Sequence, residues 1–304
     1  MRHNTPHLFN SISEMHRALG LPHPQHPLIS LVNYAEVTRD MSALPSSLVL
    51  NMYKISFKFN FRGKFKYGQH YFDFDAGGMS FFAPLQLISS VMDKDTDYSG
   101  YSLHVHPDFI RNTPLSKTIK DYGFFSYSVN EALCLSDQEK TIVSGIFESI
   151  KYELSRPIDS FSQDIIITQL DQLLNYSNRF YSRQFITRKI VSNDKLTKLN
   201  DLLEEIFQRK NALIQGMPSV QELADALNVS PRYLSDMLGS LTGQNTQQFI
   251  QAKMIEKAKE LLAVSDLTVA EIADQLGFDY PQSFNKLFKK KTAVSPNAYR
   301  QSFN

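Results

Sequence analysis

Thr268–Phe278, TVAEIADQLGF, repeats a pattern already present upstream in Ser219–Val229, SVQELADALNV. Both stretches read [Ser/Thr]-Val-x-Glu-[Leu/Ile]-Ala-Asp-x-Leu, and they lie about fifty residues apart. In each, a hydroxyl residue (Ser219 or Thr268) stands three before a glutamate (Glu222 or Glu271), the capping-box spacing of a helix start. Leu223 and Leu227, or Ile272 and Leu276, supply the apolar spacing. Ala224 or Ala273 leaves room for a helix to cross closely. Each helix is about two turns long and stops at a residue tolerant of left-handed backbone, Asn228 or Gly277.

A second helix follows each stop. SPRYLSDMLGSLTG places Pro231 in the first turn and Leu234, Met237, Leu238 and Leu241 on the buried face. YPQSFNKLFKKKT offers Phe284, Leu287 and Phe288 in the same roles, after a turn one residue longer. Short helix, tight turn and second helix make each copy a helix-turn-helix candidate. Between them NTQQFIQAKMIEKAKELLAV, residues 245–264, reads as one helix of roughly 30 Å at about 1.5 Å per residue. One turn of B-DNA is about 34–36 Å, so a strut of this length suits a reader of two successive major grooves.

Upstream the texture differs. Residues 29–129 are aromatic and strand-like: LVLNMYKISFKFNF alternates through Tyr53, Ile55, Phe57 and Phe59. Gly63, Gly68 and the Gly77–Gly78 pair punctuate further short strands. QLISSVM and GYSLHVH complete the series, which suggests an antiparallel sandwich or small barrel. SDQEKTIVSGIFESIKYEL opens with Ser136 and Glu139 in capping-box spacing and sets Ile142, Ile146, Ile150 and Leu154 on one face. Pro157 ends that helix, and a second, carrying Ile166, Leu170, Leu173, Leu174 and Phe180, forms a hairpin with it. The basic stretch around Arg179, Arg183, Arg188 and Lys189 reads as a connector or as the end of the hairpin.

The chain has 304 residues, enough for roughly two domains, and a net charge of +1. Affinity for nucleic acid must therefore come from local placement of charge. The single cysteine, Cys134, excludes an internal disulfide or a cysteine-based zinc site and fits a reducing compartment. The N-terminal stretch lacks an apolar run of signal-peptide length, and no run of about eighteen apolar residues occurs anywhere. A soluble, cytoplasmic protein without membrane contact is expected.

At ELADALNVSPRYLSDML…TG, KMIEKAKELL and VAEIADQLGF…SFNKLFKK…SPNAYR the sequence resembles the AraC/XylS family of bacterial transcriptional regulators. The resemblance covers about a third of the chain. It implies an all-α DNA-binding domain with two helix-turn-helix units over residues 195–304. It also implies a cupin-like antiparallel β-barrel sensor over 29–134, a dimerising helical hairpin over 135–190, and an N-terminal arm over 1–28. An α+β multidomain homodimeric activator follows, with double-stranded DNA, RNA polymerase and a small-molecule effector as partners. The chain departs from the family at LGSLTG, Leu238–Gly243, which lacks the usual lysines, at Lys253, where an arginine is common, and at Ala293, near a usual glycine.

Candidate groove contacts in the first unit are Arg232, Tyr233, Ser235 and Asp236; in the second they are Pro281, Gln282, Ser283, Asn285 and Lys286. Gln and Asn can pair bidentately with adenine, and Arg and Lys with guanine edges or phosphate. Lys289, Lys290 and Lys291 are better phosphate contacts, which position without reading. All eight histidines lie within the first 106 residues, and His104 and His106 with His70 suggest a facial metal site. No glutamate follows His106 at cupin-motif spacing, so no metal, cofactor or catalytic residue is assigned. The rival reading is a cupin-type metalloenzyme with a helical appendage; a ligand-independent regulator is the other alternative. The strand aromatics read first as core, with tyrosines the better candidates for ligand contact.

Overall fold

The computed structural model describes residues 6–37, 47–59, 64–67, 70–73, 77–89, 99–128, 131–187, 189–208 and 218–303. The chain divides into two compact units, Met1–Gln184 and Phe185–Asn304. Gly63, Gly68 and Arg188 lie outside the described residues, as do the side chains of His70 and Lys189.

Among its described residues the first unit contains ten strands: β1 His7–Phe9, β2 Ile29–Asn33, β3 Ser47–Leu50, β4 Tyr53–Lys58, β5 Lys64–Tyr67, β6 His70–Asp73, β7 Gly78–Phe82, β8 Leu87–Ser89, β9 Gly100–Val105 and β10 Leu133–Cys134. Its helices are α1 Ile12–Leu19, α2 Leu115–Thr118, α3 Asp137–Leu154 and α4 Ser162–Thr187, the last crossing into the second unit. A five-stranded antiparallel sheet, order β10-β7-β4-β9-β2, forms the centre. A separate three-stranded sheet, β1-β3-β8, contains the parallel pair β1/β3, and β5 pairs with β6.

The expected cupin-like barrel is therefore not present. The described sheets do not close: β10 and β2 are edges of the central sheet and do not pair with each other. Strand alternation predicts which side chains are buried. It does not say which edges join, because closure depends on long-range pairing that local pattern does not encode. Side chains of α4 occupy one edge. The Cys134 amide donates to Gln184 Oε1 at 2.7 Å, and Gln184 Nε2 donates to the Ala132 carbonyl at 3.3 Å. Arg183 Nη2 donates to the Cys134 carbonyl at 2.9 Å and pairs with Glu139 at 2.6 Å.

One sheet face packs on the hairpin. Phe57 and Tyr101 lie 5.5 and 5.9 Å, ring to ring, from Phe147 of α3, and Phe81 lies 6.2 Å from Tyr181 of α4. The buried stripe of α3 is Val143, Ile146, Phe147 and Ile150, whereas Ile142 is 38% exposed. The true face is rotated from the expected one by about one residue. It keeps an i, i+3, i+4, i+7 spacing that the sequence satisfies in two registers. β9 lies between β4 and β2, so His104 belongs to a central strand and not to an edge.

Described residues of the N-terminal stretch pack into the first unit. Phe9, Ile12 and Met15 are buried in a cluster with Val32, Leu50, Met52, Phe82 and Ile88. Ser11 caps α1 by accepting from the Glu14 amide at 3.2 Å. An amphipathic segment of eight residues is too short to announce its partner from sequence alone.

The second unit is helical in its described residues: α5 Lys189–Gln208, α6 Val220–Ala226, α7 Pro231–Thr242, α8 Thr246–Val264, α9 Val269–Gln275, α10 Pro281–Thr292 and α11 Pro296–Gln301. Leu199, Leu203 and Phe207 of α5 are buried, and α8 contributes Phe249, Ile250, Met254, Ile255, Ala258 and Leu262 to the core. No helix among the described residues is long and apolar enough to cross a membrane.

Candidate nucleic-acid interface

The two repeats build the same local structure. The Ser219 amide and hydroxyl donate to Glu222 Oε2 at 2.7 and 2.9 Å, and the Glu222 amide returns to Ser219 Oγ at 3.2 Å. Thr268 and Glu271 reproduce these bonds at 2.7, 2.8 and 3.2 Å. The backbone amide and hydroxyl that each carboxylate accepts hold Glu222 and Glu271 below the ordinary glutamate range. The helix stops match as well: Val229 N donates to the Ala224 carbonyl and Phe278 N to the Ala273 carbonyl, both at 3.0 Å. Asn228 and Gly277 take the left-handed conformation at φ 53° and 81°.

Pro231 and Pro281 then occupy the first turns of α7 and α10. Ser230 caps α7 through the Tyr233 amide at 3.3 Å, whereas Tyr280 caps α10 without a side-chain bond. Leu234, Met237 and Leu238 are buried on α7; Phe284 and Phe288 are buried on α10, with Leu287 half-buried. The opposite faces carry the candidates. Gln282, Ser283, Asn285, Lys286, Lys289, Lys290 and Lys291 are exposed on α10, with Pro281 half-buried. On α7 Arg232 is exposed and Tyr233, Ser235 and Asp236 are half-buried.

The two second helices differ in charge. α7 carries one arginine and one aspartate, and they pair with each other, Arg232 Nε to Asp236 Oδ2 at 3.1 Å. α10 carries four lysines and no acid. Among the described residues none of those lysines is in an ion pair, and three of them occupy the last turn, where the helix dipole favours cations. The Tyr233 ring packs edge-on against Phe185 at 5.1 Å.

A protein-family model described as a helix-turn-helix domain matches residues 223–302. The C-terminal unit carries an AraC/XylS-like helix-turn-helix domain. PocR, a regulatory protein of Salmonella typhimurium, is 33% identical over 85 residues, 28% of each chain. YfiF, an HTH-type transcriptional regulator of Bacillus subtilis, is 25% identical over 166 residues, 52% of this chain and 49% of YfiF. The chain thus spans about half the length of that relative. Among solved structures, the C-terminal domain of AraT, a response regulator from Geobacillus stearothermophilus, is 31% identical over 36% of this chain and 84% of that one, with a TM-score of 0.31.

Within the AraC/XylS-like domain some signature residues are scaffold. Arg300 donates from Nε to the Leu262 carbonyl at 3.3 Å and from Nη2 to the Leu267 carbonyl at 2.6 Å. It thereby ties α11 to the end of α8 and to the turn before α9. Tyr299 packs on Phe288 at 5.6 Å, and Lys259 lies 5.9 Å from its ring. The sequence signals these residues only as a motif, because their partners are backbone carbonyls more than thirty positions away. Ala293 ends α10 at φ 66°, the conformation Gly243 adopts at the end of α7 at φ 72°.

His106 Nδ1 accepts from the Asp108 amide at 3.2 Å, and His104 is buried in the sheet. Among the described residues no group of three or more His, Cys, Asp or Glu is arranged to hold a metal ion.

Proposed function

We propose that the protein is a sequence-specific transcriptional regulator whose α7 and α10 enter the major groove. The observation that carries the reading is the pair of modules with matching caps and stops inside the AraC/XylS-like domain, one presenting a lysine row that is in no ion pair among the described residues. In α10, Lys289, Lys290 and Lys291 hold phosphates while Gln282, Asn285 and Lys286 meet base edges, with Pro281 and Ser283 at the helix start. In α7, Arg232, Ser235 and Asp236 face the groove, and Tyr233 supports the helix through Phe185. The second module supplies most of the electrostatic affinity, and the first contributes mainly discrimination. α8, with nineteen residues, is roughly 28 Å long, close to the spacing of successive major grooves.

The first unit senses a small-molecule effector and pairs two copies through α3 and α4. Tyr152, Ile158, Phe161 and Ile165, all more than a third exposed near the hairpin turn, support that pairing. Activation through contact with RNA polymerase follows from the family resemblance. Genome-wide recovery of DNA bound by the purified chain tests the reading. The expected fragments share two elements about one helical turn, 10–10.5 base pairs, apart. Recovery of fragments with no common sequence would refute it.

A further inference from the structure

The face of the central sheet turned away from α3 and α4 carries buried polar residues beside the apolar Val32 and Phe82. Register aligns Ser30, His104, Lys54 and Phe82 across β2, β9, β4 and β7. The next row is Val32, Ser102, Ser56 and Ser80. Ser30, Ser56, Ser102 and His104 are each less than a tenth exposed. Hydrogen bonds account for part of this polarity. His16 Nε2 meets Ser30 Oγ at 2.7 Å, Tyr34 donates to Ser56 Oγ at 3.1 Å, and Ser102 Oγ meets His104 Nε2 at 2.9 Å.

One polar atom of this face remains. His104 Nδ1 is buried without a hydrogen-bond partner among the described residues. Burial, then the nearby Lys54 and His16, hold the ring well below the ordinary histidine range, so it is neutral. In the tautomer in which the Ser102 hydroxyl donates to Nε2, the ring proton sits on Nδ1 as an unused donor. Lys54 stands directly across the ladder from His104, its ammonium 5.7 Å from the Phe82 ring. Lys58 follows on the same face, its amine lowered to about 7 by burial and by the charge of Lys54. Among the described residues of these five strands, no Asp or Glu lies on this face.

The Lys54 ammonium beside buried hydroxyl and imidazole groups suits an anion. We infer that this face binds a small hydroxylated organic anion, its carboxylate or phosphate group on Lys54 Nζ and His104 Nδ1. Ser56, which accepts from Tyr34 and keeps its own proton to donate, and Ser102 meet the ligand hydroxyls. The inference rests on the reading of the first unit as an effector sensor and gives that effector a chemical class.

Calorimetric titration of the full chain with gluconate, glucose 6-phosphate and glucose separates carboxylate, phosphate and neutral polyol. At least one anion is expected to bind with a Kd in the millimolar range or tighter, and glucose at least tenfold more weakly. Lys54→Met should weaken the anion tenfold or more, and Lys54→Arg should retain it. Should Lys54→Met fail to fold by circular dichroism, Ser56→Ala carries the same test. No binding of either anion, glucose binding equal to theirs, or unchanged affinity in the Lys variant overturns the site. DNA affinity measured in parallel separates the two readings. Lys54-dependent anion binding that leaves DNA affinity unchanged supports the site and removes the effector role. A DNA response that survives Lys54→Met removes the site and leaves the sensor reading intact.

Discussion

The unequal charge of α7 and α10 makes a quantitative prediction about salt. Lys289 and Lys290 are exposed and, among the described residues, in no ion pair, so each is available to displace one condensed counterion from a phosphate. The double variant Lys289→Ala/Lys290→Ala removes two such contacts. At about 0.9 per contact, the slope of log K against log salt should flatten by about 1.8. Between about 50 and about 200 mM salt the parent should then lose roughly twelvefold more affinity than the variant. Arg232→Ala should change the slope by clearly less than one contact, because its guanidinium already faces Asp236 at 3.1 Å. Fluorescence anisotropy on one duplex over a salt series measures both slopes. An unchanged slope in the double lysine variant, or an equal change for Arg232→Ala, would refute the division of labour between the modules.

Gln282→Ala and Asn285→Ala should cost about 1–3 kcal/mol of discrimination at particular base pairs, read by competition with single-base variants of the site. Equal losses on every sequence would show that these side chains do not read bases. Ala293→Gly should stabilise the second unit by up to about 1 kcal/mol by relieving a left-handed backbone, and Gly243→Ala should cost about as much, in denaturant titrations. A Cβ at Gly243 would meet no atom within 4 Å, so the backbone conformation alone is tested there. Ser219→Ala and Thr268→Ala should each cost about 1 kcal/mol. Because Glu222 and Glu271 have lowered folded pKa values, their contribution is present above the ordinary value of 4.5 and is lost as pH falls through the folded value. Acid titration followed by circular dichroism should show this loss in the parent and not in Glu222→Gln/Glu271→Gln.

What could be read from the sequence was set by the range of the interactions involved. Ser219 with Glu222, Thr268 with Glu271, Pro231 and Pro281 act within one helical turn, so the start of each module and its second helix are legible. The lysine row of α10 is equally plain, although its availability depends on what surrounds it. Arg232 illustrates the difference, since its pairing with Asp236 follows from i, i+4 spacing but becomes a statement about affinity only once the geometry is known. The first unit was harder. Val143 replaces Ile142 in the buried stripe because both positions fit the same periodicity, and only the sheet beneath α3 chooses between them. Barrel closure, the central place of β9 and the docking of α1 depend on pairings between distant segments. Arg300 is visible in the sequence as part of a motif, but its tie to the Leu262 and Leu267 carbonyls is not, because backbone partners leave no mark in a sequence.

Gln184 turns its amide to β10 much as a neighbouring peptide group would. An open sheet margin is where one molecule can recruit a strand from another, and here the side chains of Gln184 and Arg183 occupy the docking position. The same turn of α4 leads out of the first unit, so protection against intermolecular zippering and anchorage of the exit helix are one device. Loosening it would unfasten both together, coupling the protein's tendency to self-associate to the hold on the helix through which the chain leaves its first unit.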